Sequence, residues 1–127
     1  MENSYLEQTV FPSEEKTILV ANDEDYGGAH RYSFIGSKGF KDGKAEYDFE
    51  SMQTIQFVQK NLDGSMTPGV QSEQLVIALL DRTKKLNAKF PSEQNEKMMV
   101  GLNMFLEACK ERIEDRINRG VMGDLKK

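Results

Sequence analysis

The sequence predicts an α+β fold in which an N-terminal antiparallel β-meander is followed by a C-terminal two-helix hairpin. Three features carry this reading. Apolar residues of the first half alternate with polar ones, a dense run of turn formers from Asn61 to Gly69 closes that half, and beyond it apolar residues recur at helical spacing. With 127 residues the chain has the length of one domain, 1–127, comprising a β-rich part over 1–68 and a helical hairpin over 69–127.

The strands follow in order. Thr17-Ile18-Leu19-Val20 is a β-branched run ended by Asn22-Asp23-Glu24-Asp25-Tyr26-Gly27-Gly28. His30 to Ile35 sets Tyr32 and Phe34 on one face, and Gly36-Ser37-Lys38-Gly39 is the expected turn after it. Ala45, Tyr47 and Phe49 alternate with Glu46, Asp48 and Glu50, and Ile55 and Phe57 flank Gln56 in a last strand over 54–58. Four consecutive strands with short connections make an antiparallel meander, with one face solvated.

The helices are marked at both ends. Ser72 is the expected N-cap of the first, along which Leu75, Leu79, Leu86 and Val76, Leu80, Thr83 recur at helical spacing. A connection around Asn87-Ala88-Lys89-Phe90-Pro91 leads to the second helix, with Ser92 as its cap and Gly120 as its stop. The second helix has an apolar stripe of Met99, Leu102, Leu106, Cys109, Ile113 and Ile117. From Glu93 to Arg119 it would run about 40 Å, at least the diameter of a compact domain of this size, so a second subunit is expected to cover the stripe's far end.

Composition narrows the function. Seventeen Lys+Arg against 21 Asp+Glu give a formal charge of −4, with 38% hydrophobic residues and mean hydropathy −0.62. An acidic total argues against broad DNA or RNA binding, which needs basic surface. No apolar run approaches the ~18 residues of a membrane span, and Met1-Glu2-Asn3-Ser4 has no basic-then-apolar signal. One cysteine, Cys109, and one histidine, His30, leave no disulfide framework, Cys-based zinc site or two-histidine metal motif, and suit a reducing cytosol. No metal and no cofactor are expected. The charge is unevenly divided: residues 1–68 carry 6 basic and 12 acidic side chains, and residues 69–127 carry 11 and 9. A local positive patch binds a small anion whatever the total, because exposed charges beyond a Debye length of about 8 Å are screened.

Catalytic motifs are lacking: no nucleophile–His–carboxylate set has a familiar spacing, and there is no Walker-type or G-x-G-x-x-G loop. Gly36, Gly39 and Gly43 fit a hairpin turn better than a phosphate loop, Asp23-Glu24-Asp25 reads as a solvated turn, and Cys109 lies in the apolar stripe. His30 fits a ligand contact and a structural role equally. Arg112, Arg116 and Arg119 follow i, i+4, i+7 on one helix face. Guanidinium forks match phosphate oxygens and stack on bases, so this face suits a pyrophosphate or cyclic nucleotide, with Asp115–Arg119 pairing as the competing use.

Gly69-Val70-Gln71-Ser72-Glu73-Gln74-Leu75 leading to Asp81-Arg82, then Asn95, then Arg112 and Asp115-Arg116-Ile117-Asn118-Arg119-Gly120-Val121-Met122-Gly123 resembles the first type of Thoeris anti-defence proteins of phages. That family shares a helical hairpin with phage sponges that block cyclic-oligonucleotide signalling. The resemblance implies a non-enzymatic protein in the host-cell cytoplasm that binds glycocyclic ADP-ribose, the signal made by TIR-domain enzymes, and holds it intact. Some members also bind cyclic trinucleotides at separate sites in a higher oligomer. By position it implies Asn95 and Arg112 as signal contacts, with Arg31 as the candidate for an N-terminal arginine. Where the family has an aromatic residue plus Gln, this chain has Leu86-Asn87, and Phe90 is the candidate stacking ring. Gly123-Asp124 replaces the family's Gly-Thr. Asn95 and Arg112 are 17 positions apart, roughly 26 Å along one helix, so a single ligand touching both requires two subunits with antiparallel helices in a homodimer or higher oligomer. The competing readings are an enzyme degrading the same signal and an oligomeric interaction module without a small ligand.

Overall fold

A computed structural model describes residues 2–6, 18–22 and 29–120. The chain divides into two compact units, Met1–Val70 and Gln71–Lys127.

In the first unit β1 (Glu2–Leu6), β2 (Ile18–Asn22), β3 (Arg31–Lys41) and β4 (Lys44–Gln56) form one antiparallel sheet in that order. The expected meander is therefore present, but its strands are cut elsewhere. β1 precedes the first strand read from the sequence. The expected turn at Gly36–Gly39 lies inside β3, and the two strands expected around Tyr47 and Ile55 are one strand, β4. The chain reverses instead at Asp42-Gly43, where φ is 53° and 77°. Two consecutive positive-φ residues are what a two-residue hairpin needs to match strand twist, and Asp-Gly supplies them at little steric cost.

The glycines at the expected turn mark irregular pairing instead. Phe34 opposes Gln53 and Gly36 opposes Asp48, so Ile35 alone faces Phe49, Glu50, Ser51 and Met52. This excursion of β4 is tied at its base. Asp48 Oδ1 accepts from the Glu50 N–H at 3.2 Å, Ser51 Oγ donates to the Asp48 carbonyl at 2.8 Å, and the Gly36 N–H donates to Ser51 Oγ at 3.3 Å. A bulge re-aims the side chains around it. Here it buries Ile35, at 3% exposure, while Phe34 is 39% and Phe49 64% exposed. Tyr32 and Phe34 share a face, as the alternation predicts, and the regular pairing ends after Phe34.

The turn-former segment holds structure of its own. β5 (Gln59–Lys60) and β6 (Met66–Thr67) pair across a tight loop, so the strand expected over 54–58 ends early. Asn61 Nδ2 donates to Ser65 Oγ and Thr67 Oγ1, and the Ser65 hydroxyl and backbone N–H both donate to Asp63 Oδ1, holding that carboxyl below its ordinary pKa. The exit strand closes on the end of β4: the Val70 N–H donates to the Gln56 carbonyl at 2.8 Å and the Val58 N–H to the Val70 carbonyl at 3.0 Å. Gly69 lies so near that a Cβ there would stand 2.3 Å from the Gln56 carbonyl oxygen.

The second unit is the hairpin of α1 (Ser72–Lys89) and α2 (Glu93–Arg119). Ser72 is not the cap of α1. Gln71 is extended at φ −92°, ψ 150°, its N–H donates to Gln74 Oε1 at 2.8 Å, and Ser72 is the first helical residue. Ser92 caps α2 as read, accepting the Asn95 N–H at 3.0 Å, and Gly120 closes it in the left-handed conformation at φ 70°. Leu80 and Thr83 are buried on α1, and the Thr83 hydroxyl donates to the Leu79 carbonyl at 2.8 Å. On α2 nothing is fully buried: Met99, Leu102, Leu106 and Cys109 are half-covered, and Ile113 and Ile117 are exposed. Among the described residues no helix is long and apolar enough to cross a membrane. Thr17, the acidic turn at 23–28, and Val121–Asp124 with Lys126 and Lys127 lie outside the described residues.

Two substitutions test these local arguments by urea denaturation. Gly69→Ala forces the added methyl against the Gln56 carbonyl and lowers stability by about 1–3 kcal/mol. Ser92→Ala removes the cap of α2 and costs about 1 kcal/mol.

Candidate functional site

The arginine-bearing end of α2 is shaped by where α1 begins. Successive arginines at i and i+4 stand one above the other, with roughly 5–6 Å between their Cβ atoms. Arg112 and Arg116 line a hollow of about 420 Å³ together with Gln71, Ser72 and Glu73 at the start of α1 and with Cys109 and Ile113. Ser72 and Glu73 are the first two residues of α1, so their backbone N–H groups have no partner within the helix. Two guanidinium groups and a positive helix end therefore face one cavity, a donor-rich arrangement suited to phosphate oxygens. Glu73 brings a carboxylate to the same rim, but among the described residues it forms no ion pair with either arginine.

Arg119, expected beside them, is otherwise engaged. Its Nε and Nη2 reach Asp115 Oδ2 at 3.0 and 2.9 Å. This i, i+4 pair is the use that competed with ligand binding, and it leaves Arg119 out of the hollow.

Phe90 and Asn95 stand at the opposite end of the hairpin, about 26 Å along α2 from Arg112. Phe90 ends α1, its N–H donating to the Leu86 carbonyl at 2.7 Å, and its ring is 64% exposed. Lys89 Nζ lies 5.6 Å from the ring centroid, within cation–π range, and takes one face of the ring. Asn95 Nδ2 donates to the Phe90 carbonyl at 3.0 Å, which commits the amide's donor side to the connection. Its Oδ1 is the atom left to accept from a ligand. Asn87 joins the same network: its Oδ1 accepts the Ser92 N–H at 3.1 Å and its Nδ2 donates to Glu96 Oε1 at 2.9 Å.

Arg31 opens β3 in the other compact unit, exposed, in register with Ala21 and Gln56. Of the six side chains expected to bind ligand, the structure brings Arg112 and Arg116 together, gives Arg119 to Asp115, and pairs Phe90 with Asn95 at the far tip. A second hollow of about 570 Å³, lined by Glu73, Asn103, Leu106, Glu107, Lys110, Ile113 and Glu114, was not read from the sequence. Nor were Gln71 and Ser72 as site residues. The signal for them was the Gln71-x-x-Gln74 pattern, which places the helix start one residue earlier than a serine cap does. Among the described residues no group of three His, Cys, Asp or Glu side chains is placed to hold a metal ion.

No protein-family model matches the chain, and no curated protein matches its sequence. The site is therefore read from its own chemistry.

Inorganic pyrophosphate is the simplest probe of the hollow. Arg116→Ala should weaken its binding roughly tenfold or more, the scale of a charged hydrogen-bonding group, whereas Arg119→Ala should change it less than about twofold. Isothermal titration calorimetry at low salt distinguishes these outcomes.

Proposed function

We propose that this chain is a phage anti-defence sponge that binds glycocyclic ADP-ribose in the host cytoplasm and keeps it from its effector without cleaving it. The observation that carries the reading is the hollow in which Arg112 and Arg116 meet the start of α1. A guanidinium holds phosphate oxygens through planar, charge-assisted hydrogen bonds. It supplies neither a general base nor a nucleophile for hydrolysis. The volume, about 420 Å³, lies within the ~300–1,000 Å³ range of small-molecule sites.

The base-reading half of the site comes from a second copy. Arg112 and Asn95 are too far apart on one helix to share a ligand, and a two-fold dimer with antiparallel α2 helices carries Asn95 and Phe90 of the partner subunit toward Arg112. The exposed apolar side chains of α2, among them Met104, Ile113 and Ile117, are available for such a contact. The same exposure favours the second reading, an oligomeric interaction module that takes no small ligand. A cyclic-trinucleotide site in a higher oligomer remains part of the proposal.

The deciding experiment incubates the protein with glycocyclic ADP-ribose, denatures it by heat and assays the supernatant. Recovery of intact, active signal supports the sponge, and catalytic disappearance of the signal would falsify it in favour of an enzyme. No thermal shift with glycocyclic ADP-ribose or cyclic trinucleotides would leave the interaction module. Arg112→Ala is expected to weaken signal binding by more than about tenfold with the helical circular dichroism unchanged, because Arg112 is exposed and its loss removes charged hydrogen bonds alone.

A further inference from the structure

The hairpin connection is only Phe90, Pro91 and Ser92, yet it must deliver an exposed ring and an amide in defined directions. Phe90 donates its N–H to Leu86 and lends its carbonyl to Asn95 Nδ2, and Ser92 caps α2 through the Asn95 N–H. Asn95 thus ties the first turn of α2 back to the end of α1. Asn87 makes the reciprocal tie from the last turn of α1 with both ends of its amide: Oδ1 on the Ser92 N–H, Nδ2 on the Glu96 carboxylate. An amide is the side chain that accepts and donates at once from one rigid plane.

We infer that Asn87 is the positioning residue of the tip, whose clasp between Ser92 and Glu96 fixes how Phe90 and Asn95 are presented to a ligand. The inference rests on the reading of Phe90 and Asn95 as signal contacts. The side-chain hydrogen bonds of Asn87 go to the connection and to Glu96. Its chemistry predicts a specific failure: an aspartate keeps the acceptor for Ser92 but sets a second carboxylate against Glu96. Like charges at hydrogen-bond distance cannot both stay ionised in place, so the clasp opens at neutral pH and recloses when the pair shares a proton. Replacing Glu96 by Gln as well restores the bond with its direction reversed, Gln donating to Asp.

The test compares the full-length chain with Asn87→Asp, Glu96→Gln and the double variant. Calorimetry with glycocyclic ADP-ribose reads affinity, and hydrogen exchange of the Ser92 amide reads the clasp with no ligand present. Expected are roughly tenfold weaker binding and faster Ser92 exchange in Asn87→Asp, with recovery of both as pH falls, and near wild-type values in Glu96→Gln and in the double variant. Unfolding temperature should barely move, which separates positioning from mere support of the fold. Wild-type affinity in Asn87→Asp, or loss that the double variant does not rescue, overturns the inference. If the wild-type chain binds no signal, the functional reading fails by itself. In that case unchanged Ser92 exchange in Asn87→Asp overturns the clasp as well, and faster exchange that the double variant reverses upholds it.

Discussion

The mismatch in length between the two helices is the constraint on which the second unit depends. α1 has 18 residues and α2 has 27, about 27 Å against 40 Å at 1.5 Å per residue. A helix can be buried only where something lies alongside it. α1 therefore covers α2 through Cys109 and then stops, and beyond that point Ile113 and Ile117 emerge into solvent. The arginine hollow sits at this step. Its donors come from two sources that the step brings together, the unpartnered N–H groups that open α1 and the guanidinium groups that α2 carries past it. Equal helices would have put the start of α1 beside the end of α2, with no overhanging arginines beside it.

The two ends of the hairpin have opposite chemical character. At the stem, cations and backbone donors surround a cavity, and the one anion on its rim among the described residues, Glu73, lies on the α1 side. At the tip, a ring and amide groups are held by neutral hydrogen bonds and one carboxylate. Guanidinium groups and the exposed ring are thus separated along a single rod, and both belong to one compact unit. The acidic excess of the chain falls in the strand unit.

Most of the helical half was legible because helix ends have local chemistry. Ser92, Gly120 and the spacing of Met99, Leu102, Leu106 and Cys109 each act through nearest neighbours, and the helix Glu93–Arg119 follows from them. The strand half was less legible because pairing is non-local. Gly36 and Gly39 are turn formers by composition, but in the sheet they sit at two register shifts, the first with extra residues on β4 and the second with Lys38 extra on β3. The turn falls at Asp42-Gly43, the last glycine of the run, and not at Gly36–Gly39. At the site, the i, i+4 spacing correctly joined Arg112 to Arg116. It could not say that Arg119, three residues on, would turn to Asp115, because the spacing serves an ion pair and a ligand equally well. Asn87 reads only as part of a connection, since its two partners lie five and nine residues ahead, one in the connection and one on the next helix.

Lys89 has a consequence for the tip. With an ammonium group over one side of the Phe90 ring, only the opposite side is open to a planar guest. The ring is thereby made one-sided. A flat group can stack on it from one side only, with either of its own faces. The side of approach is then set by a charge on the neighbouring residue, without any walled pocket.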